Sequence, residues 1–237
     1  MTERVLIAIP CYNEAGSIAD LLSEVARHHS LSDVVVIDDG SEDGTAHRLP
    51  SVVRCVRADR NEGVGHAVRR AVQVAWDEGY DYVVRLDGDG QHPPDQISIL
   101  FNHHRLNKSN VVVGSRFGGS EKPDRSGYCP SWDRRFGIWV VRKVLRAFFG
   151  ITVGDPTSGF QLMDRKAMAH VLRQPPALFP EPVGLARASG GGLAVSETRV
   201  RMRPRRHGAS SIAGWKKISF LPRVLWDLAR VRERHPR

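Results

Sequence analysis

The sequence predicts an α/β fold with a Rossmann-like, mostly parallel central sheet and helices on both faces. Three observations predict it. Short apolar runs alternate with amphipathic stretches through the first half of the chain. Polar and acidic clusters follow those runs directly, where ligands sit in open parallel sheets. The chain has 237 residues, 41% of them apolar, which is enough for one large core.

Taken in order, Val5 to Ile9 reads as a strand and Glu14 to His28 as a helix with Ile18, Leu21, Leu22 and Val25 on one face. Val34 to Ile37 is the next strand and ends at Asp38-Asp39-Gly40-Ser41. Val52 to Val56 is a third strand. Val64 to Trp76 is a helix whose Val68, Ala71, Val72 and Ala75 share a face. Tyr82 to Leu86 is a fourth strand, Asp95 to Leu106 a helix and Val111 to Gly114 a fifth strand.

The second half is less regular. Gly118 to Cys129 is a Gly-, Pro- and charge-rich loop of the kind that forms a lid. Trp132 to Phe149 has helical spacing of Phe136, Trp139, Val140, Lys143, Val144 and Phe148. Asp155 to Phe160 is turn sequence before a short strand, and Leu193 to Met202 is a strand. From Ile212 to Arg234 the chain is basic and amphipathic, with Trp215, Ile218, Leu221, Leu225, Trp226 and Leu228 among Lys and Arg. Pro222 is expected to kink or interrupt it. These readings divide the chain into a catalytic unit, 1–211, and a basic amphipathic helical tail, 212–237. The tail either lies in a membrane interface or packs on the catalytic unit or a partner subunit.

The net charge of +9, from 35 basic and 26 acidic residues, admits three partners: nucleic acid, an anionic membrane or a phosphate-bearing substrate. No nucleic-acid motif occurs and aromatics total only 7%, which disfavours the first. Cys11, Cys55 and Cys129 are widely spaced, so neither a zinc site nor a disulfide framework is expected, and reduced thiols fit a cytoplasmic protein. The apolar start, Arg4 to Ile9, is too short for a signal peptide. No apolar run approaches the roughly 20 residues that cross a bilayer. The expectation is a soluble protein or one that is peripheral on the cytoplasmic membrane face; a homo-oligomer stays open.

The sharpest motif is Arg85-Leu86-Asp87-Gly88-Asp89-Gly90-Gln91-His92-Pro93-Pro94. Two carboxylates one residue apart at a strand end suit a hard divalent cation that also carries phosphate oxygens. Asp-Gly-Asp-Gly is also good turn sequence, so the strand context matters. Gly63 and Gly65 precede a helix without a Walker Lys-Ser/Thr or a full Gly-x-Gly-x-x-Gly, so neither a P-loop nor a dinucleotide oxidoreductase is expected.

With Pro10-Cys11-Tyr12-Asn13-Glu14, Asp38 to Thr45, Asn61 to Gly65, Gly114-Ser115-Arg116-Phe117, Asp155 to Phe160 and Arg206 to Ser211, the chain resembles the family 2 glycosyltransferases of GT-A fold. The likeness is to the dolichyl- or polyprenyl-phosphate sugar synthase branch and runs in order from residue 4 to about 211. It implies an inverting, metal-dependent transfer from a UDP- or GDP-type nucleotide-diphosphate sugar. Pro10, Tyr12, Glu14, Asp38, Asp39, Gly63 and Gly65 would line the nucleotide pocket. A carboxylate there accepts hydrogen bonds from uracil or guanine N–H groups. Asp89 would bind Mg²⁺ or Mn²⁺ directly, with Asp87 and Gln91 completing the metal and diphosphate environment. Arg116 and Arg206 would clamp phosphate, and guanidinium does this in bidentate fashion.

Two acceptors follow from the resemblance. A hydroxyl acceptor needs a general base, for which Asp155 and Glu181 are the candidates. A polyprenyl phosphate is already an anion and needs positive charge instead, which Arg201, Arg203, Arg205, Arg206 and His207 offer. The lipid-phosphate synthases usually carry Lys where this chain has Ser211, which removes one phosphate contact and keeps a hydroxyl on a soluble glycan or metabolite open. A sugar nucleotidyltransferase would open with a Gly-rich, basic loop that residues 10–14 do not supply.

Overall fold

The computed structural model describes residues 3–117, 132–204 and 216–234. Seven strands form a single sheet: β1 (Val5–Cys11), β2 (Val34–Asp38), β3 (Arg54–Arg57), β4 (Tyr82–Arg85), β5 (Val111–Ser115), β6 (Gln161–Asp164) and β7 (Val195–Arg199). Their order is β3-β2-β1-β4-β6-β5-β7. All neighbours run parallel except β6, which is antiparallel to both β4 and β5. The expected mostly parallel α/β sheet is therefore present.

Alternation along the strands builds two cores. Leu6, Ala8, Val35 and Ile37 face one side of the sheet, where α2 (Val64–Asp77), α4 (Trp132–Phe149), α5 (Arg165–Leu172), α6 (Pro180–Gly190) and α7 (Lys216–Arg234) cover them. Ile7, Ile9, Val34 and Val36 face the other side, under α1 (Ile18–Val25) and α3 (Ile97–Asn107). Burial on both faces explains why these strands read as continuous apolar runs.

Several boundaries differ from expectation. Helix α1 starts at Ile18 rather than Glu14, because Asn13 has φ +56° and the Glu14 carbonyl accepts from Ser17 N and Ile18 N in a turn. Strand β3 begins at Arg54 rather than Val52. It is the sheet edge, and its mostly exposed Arg-Cys-Val-Arg sequence suits an edge guarded by charge. Strand β7 is shorter than Leu193–Met202. Helices α5 and α6 occupy a stretch to which the sequence reading assigned no helix. Asp164 caps α5 through Ala167 N at 2.8 Å, and Pro180 opens α6.

Helix α7 runs unbroken through Pro222, against expectation. Its Val224, Leu228 and Val231 are buried in the same core as α4 and α6. Burying such side chains contributes about 1.5–3 kcal/mol each, which outweighs the single helix bond a proline removes. The inward stripe is thus Val224-Leu228-Val231, and Trp226 points outward, 67% exposed. The Gly118–Cys129 loop, Trp215 and Ser211 lie outside the described residues.

Candidate active site

Because β1, β2, β4, β5 and β7 are parallel, their carboxyl ends meet at one edge of the sheet. Antiparallel β6 brings its preceding turn, residues 155–160, to that same edge. The sequence-predicted clusters are therefore gathered, and their hydrogen bonds show what each does.

At the end of β1, Pro10 is a buried strand residue in register with Ile37, while Tyr12 is 42% exposed beyond it. Glu14 is buried. Ser17 Oγ lies 2.9 Å from Glu14 Oε2 and 2.9 Å from the Gly88 carbonyl, which ties this loop to the Asp87–Asp89 segment. Gly88 is required there, since a Cβ would stand 2.8 Å from Cys11 Cβ. Burial pushes the Cys11 thiol well above the ordinary range, so it is an inert packing group.

Asp38 and Asp39 are both buried. Asp39 accepts from Glu62 N at 3.0 Å and Gly63 N at 2.8 Å, so both oxygens hold the loop that leads into α2. Asp38 accepts from Ser41 N through Oδ1, while Oδ2 sits 3.4 Å from Arg57 Nε without forming a hydrogen bond. Gly63 needs its φ of +96° to enter α2. Gly65 was expected to let a ligand approach. Instead a Cβ there would collide with the Ala177 carbonyl, so its role is close packing of α2 against the loop before α6.

At the end of β4 the charges interlock. Arg85, 5% exposed, bridges two carboxylates: Nη2 donates to Asp87 Oδ1 at 2.9 Å and Nη1 lies 2.7 Å from Glu181 Oε1 in the first turn of α6. Its Nε has no hydrogen-bond partner, but Arg85 also lines a ≈ 60 Å³ cavity between α2, α5 and α6 with room for water. Burial by itself would raise the Asp87 pKa. The guanidinium groups of Arg85 and Arg116 outweigh it and hold the carboxyl below its ordinary value. Buried His92 stacks on Phe160 at 5.3 Å and accepts the Asp87 amide at Nδ1, 3.1 Å away. Burial lowers its pKa, so the ring is neutral. Asp89 Oδ1 accepts from Gln91 N at 3.0 Å, and Gln91 Nε2 donates to the Arg203 carbonyl at 3.3 Å, which fastens the chain after β7 over the site.

The second cluster sits between β5 and β6. Arg116 grips fully buried Asp155 with two donors, Nε to Oδ2 at 2.7 Å and Nη2 to Oδ1 at 3.2 Å, and Thr157 Oγ1 adds a third bond. Glu197 on β7 accepts from Gly154 N and Asp155 N at 2.7–2.8 Å, which sets this turn. Asp155 and Glu181, the two expected candidates for a general base, are thus both counter-ions of largely buried arginines. Arg206 lies outside the described residues. Sequence reasoning missed Arg85, His92, Ser17 and Glu197. An arginine inside an apolar strand next to an acidic pair was a readable signal for Arg85; nothing local marked Glu197.

The chemistry of the Asp87–Asp89 pair fits a hard divalent cation. Both are oxygen donors, one residue apart, and Asp87 is held ionised. Among the described residues no group of three or more His, Cys, Asp or Glu could hold a metal. An ion at this pair would therefore share its coordination with ligand oxygens and water.

Comparison with known proteins gives the family and the fold. The profile of glycosyl transferase family 2 matches residues 6–172. The undecaprenyl-phosphate mannosyltransferase of Micrococcus luteus is 32% identical over 167 residues, 67% of this chain and 65% of that protein. The polyprenol monophosphomannose synthase of Mycolicibacterium smegmatis is 28% identical over 181 residues, 72% of this chain and 65% of that protein. The chain thus covers slightly less than two thirds of the length of either relative. Among solved structures, glucosyl-3-phosphoglycerate synthase from Mycobacterium tuberculosis, in complex with Mn²⁺, UDP and phosphoglyceric acid, superposes with a TM-score of 0.70. It is 19% identical, with 97% of this chain and 78% of that chain covered. The fold is that of the GT-A glycosyltransferases, and the chain belongs to glycosyl transferase family 2.

Proposed function

We propose that this family 2 glycosyltransferase moves a sugar from a nucleotide-diphosphate sugar to a polyprenyl phosphate, inverting the anomeric centre. One observation carries the choice of acceptor. Asp155 and Glu181 are each paired with a largely buried arginine, Arg116 at 2.7 Å and Arg85 at 2.7 Å, and neither is placed to take a proton. A hydroxyl acceptor needs a base; a phosphate acceptor does not. The names of the two relatives, which specify undecaprenyl phosphate and polyprenol, support the same reading.

In this reading the nucleoside lies over Tyr12, Glu14 and the Asp38–Asp39 turn. The diphosphate lies at Asp87, Asp89 and Gln91, and Asp89 and Asp87 hold Mg²⁺ or Mn²⁺. When bound, the ion offsets charge on the departing nucleoside diphosphate. The chain's own residues do the rest. Asp39 holds the Glu62–Gly63 loop, and Ser17 joins the nucleoside side to the diphosphate side. Arg116, oriented by Asp155, contributes positive potential at the diphosphate, where it already acts on Asp87. An acceptor phosphate oxygen forms the new bond to the anomeric carbon from the face opposite the leaving group. The old carbon–oxygen bond breaks with its electron pair remaining on the diphosphate, and no proton needs to move. The enzyme works at the cytoplasmic membrane face as a peripheral protein. No helix among the described residues is long and apolar enough to cross a membrane.

The test is a thermal-stability screen of UDP-, GDP- and dTDP-sugars with Mn²⁺, with and without chelator. Donor at about 100 times its Kd is expected to stabilise the fold by about 2.7 kcal/mol, and chelator should abolish this. Active donors are then offered to polyprenyl phosphate and to soluble hydroxyl acceptors. No metal-dependent binding of any sugar nucleotide by folded protein defeats the donor reading; transfer only to hydroxyls defeats the acceptor reading.

A further inference from the structure

We infer that the outer face of α4, with the neighbouring α7, is a docking surface for the headgroup region of an anionic lipid bilayer. The surface serves the lipid-phosphate acceptor and rests on that reading for its purpose, although the binding itself does not depend on it. Of the two expectations for the C-terminal tail, a membrane interface or packing on the catalytic unit, the structure shows the packing. Its Val224, Leu228 and Val231 are inside the core, which leaves only its outer face beside α4 for a membrane.

Helix α4 has two faces. Val141, Leu145 and Phe149 are buried in the core that includes the sheet, and Ile138 is buried as well. On the outer face Phe136 and Trp139, 51% and 53% exposed, stack on each other at 6.0 Å. Lys143 Nζ lies 5.8 Å from the centre of the Trp139 ring. Arg135, Arg142 and Arg146 are exposed beside them, and no residue from 134 to 149 is acidic. Helix α7 packs against α4, with Arg232 Nη1 donating to the Phe148 carbonyl at 2.6 Å and its guanidinium near the Phe148 ring. Its Trp226, Arg223 and Arg230 are exposed.

Charge identifies the occupant. Helix α4 has five basic residues against one acidic and α7 six against two, so these two helices carry eight of the chain's nine net positive charges. The remainder of the chain is close to neutral. A second copy of this chain would bring like charge against like charge across a two-fold interface. A single-stranded nucleic acid takes a basic groove with rings free to stack on bases; here the rings lie on a convex helix and stack on each other. Exposed indole and phenyl rings with Lys and Arg around them match the bilayer interface, where rings enter the headgroup layer and cations meet anionic lipid.

The full chain is tested by flotation with vesicles of phosphatidylcholine alone and of phosphatidylcholine mixed with phosphatidylglycerol, with no polyprenyl phosphate and no sugar nucleotide. Binding is expected only to the mixed vesicles and should fall with added salt. The double variant Phe136→Ala and Trp139→Ala should bind at least about tenfold more weakly. Arg142→Gln and Arg146→Gln should each cost about fivefold. Leu106→Ser, at an 84% exposed position on α3, should bind like the wild type. Each variant is checked by thermal melting, since outer-face changes leave the core intact.

Failure of the wild type to bind mixed vesicles overturns the proposal, as does equal binding by the double variant. So does a shift from dimer to monomer in the double variant without vesicle binding, or nucleic-acid binding in its place. Transfer to detergent-dispersed polyprenyl phosphate by a protein that ignores vesicles defeats this surface and spares the proposed function. Vesicle binding without such transfer does the reverse.

Discussion

The carboxylates of the two halves of the site are held in different ways. At the ends of β2 and β4, Asp38, Asp39 and Asp89 accept from backbone amides, those of Ser41, Glu62, Gly63 and Gln91, and Asp38 also lies 3.4 Å from half-exposed Arg57. In the second half, Asp155 and Glu181 are held by the guanidinium groups of Arg116 and Arg85. An amide shapes a loop around a carboxylate and leaves its charge in place. A buried arginine neutralises the carboxylate and ties up the lone pairs a base would use. Two acidic groups in one cleft therefore have different capacities. Asp87 stands between the two modes: Arg85 binds it, yet it remains partly accessible at the rim of the site.

Variants can break or sharpen this contrast. The largest effect is expected for Arg116→Met, which leaves fully buried Asp155 without its partner; a loss of about 3–5 kcal/mol in urea unfolding is expected. Retained stability with a fall in kcat alone would instead make Asp155 a base and erase the contrast. On the amide-held side, Asp89→Asn keeps an oxygen for the Gln91 amide but removes the charge. Turnover should drop about 10²–10³-fold, equivalent to about 2.7–4 kcal/mol, with melting temperature unchanged.

Smaller effects sharpen the picture. Glu197→Gln weakens the amide bonds that set the 154–155 turn and should cost about 1–3 kcal/mol of stability. Gly65→Ala should destabilise by about 1–3 kcal/mol through its clash with the Ala177 carbonyl. Its KM for the donor should stay the same; a KM change in fully folded variant would return Gly65 to the ligand pocket.

The smallest effect is a pH slope. His92 is neutral in the fold because burial lowers its pKa. Above about pH 6.5 it is neutral folded and unfolded alike. As the pH falls below that value, the unfolded chain takes up the proton first, and stability is lost until the lower folded pKa is reached. His92→Gln should flatten this part of the stability–pH curve relative to wild type; parallel curves would refute the assignment. Asp87 has the carboxylate sign. Its folded pKa is depressed, so its contribution is present above about pH 3.9 and is lost only in stronger acid.

Legibility followed the range of the interactions. The Val- and Ile-rich runs and the Asp-Gly strings after them are local, and both were readable as strands and site loops. So was α4, whose 18 residues keep a helical period. Helix α6 was not read because Pro180 and Pro182 stand in its first turn, and α5 because its eight residues give only a short apolar period. Gly65 was read as ligand-facing because its neighbour Ala177 is far away in sequence. The tail's inward stripe was left open because the mixture of Val, Leu and Trp along α7 allows more than one face, and only contact with α4 and α6 selects it.

By itself the sequence determined the α/β class and placed its acidic clusters after the strands, at the edge where the candidate site gathers them. These depend on apolar runs and turn residues that act over a few positions. The tertiary structure decided which carboxylates keep a usable charge. Asp155 meets Arg116, and Glu181 meets Arg85, only because antiparallel β6 and helix α6 are folded back beside β4 and β5. Burial then sets the electrostatics: a charge withdrawn from water requires a partner, and that partner comes from wherever the fold has placed one.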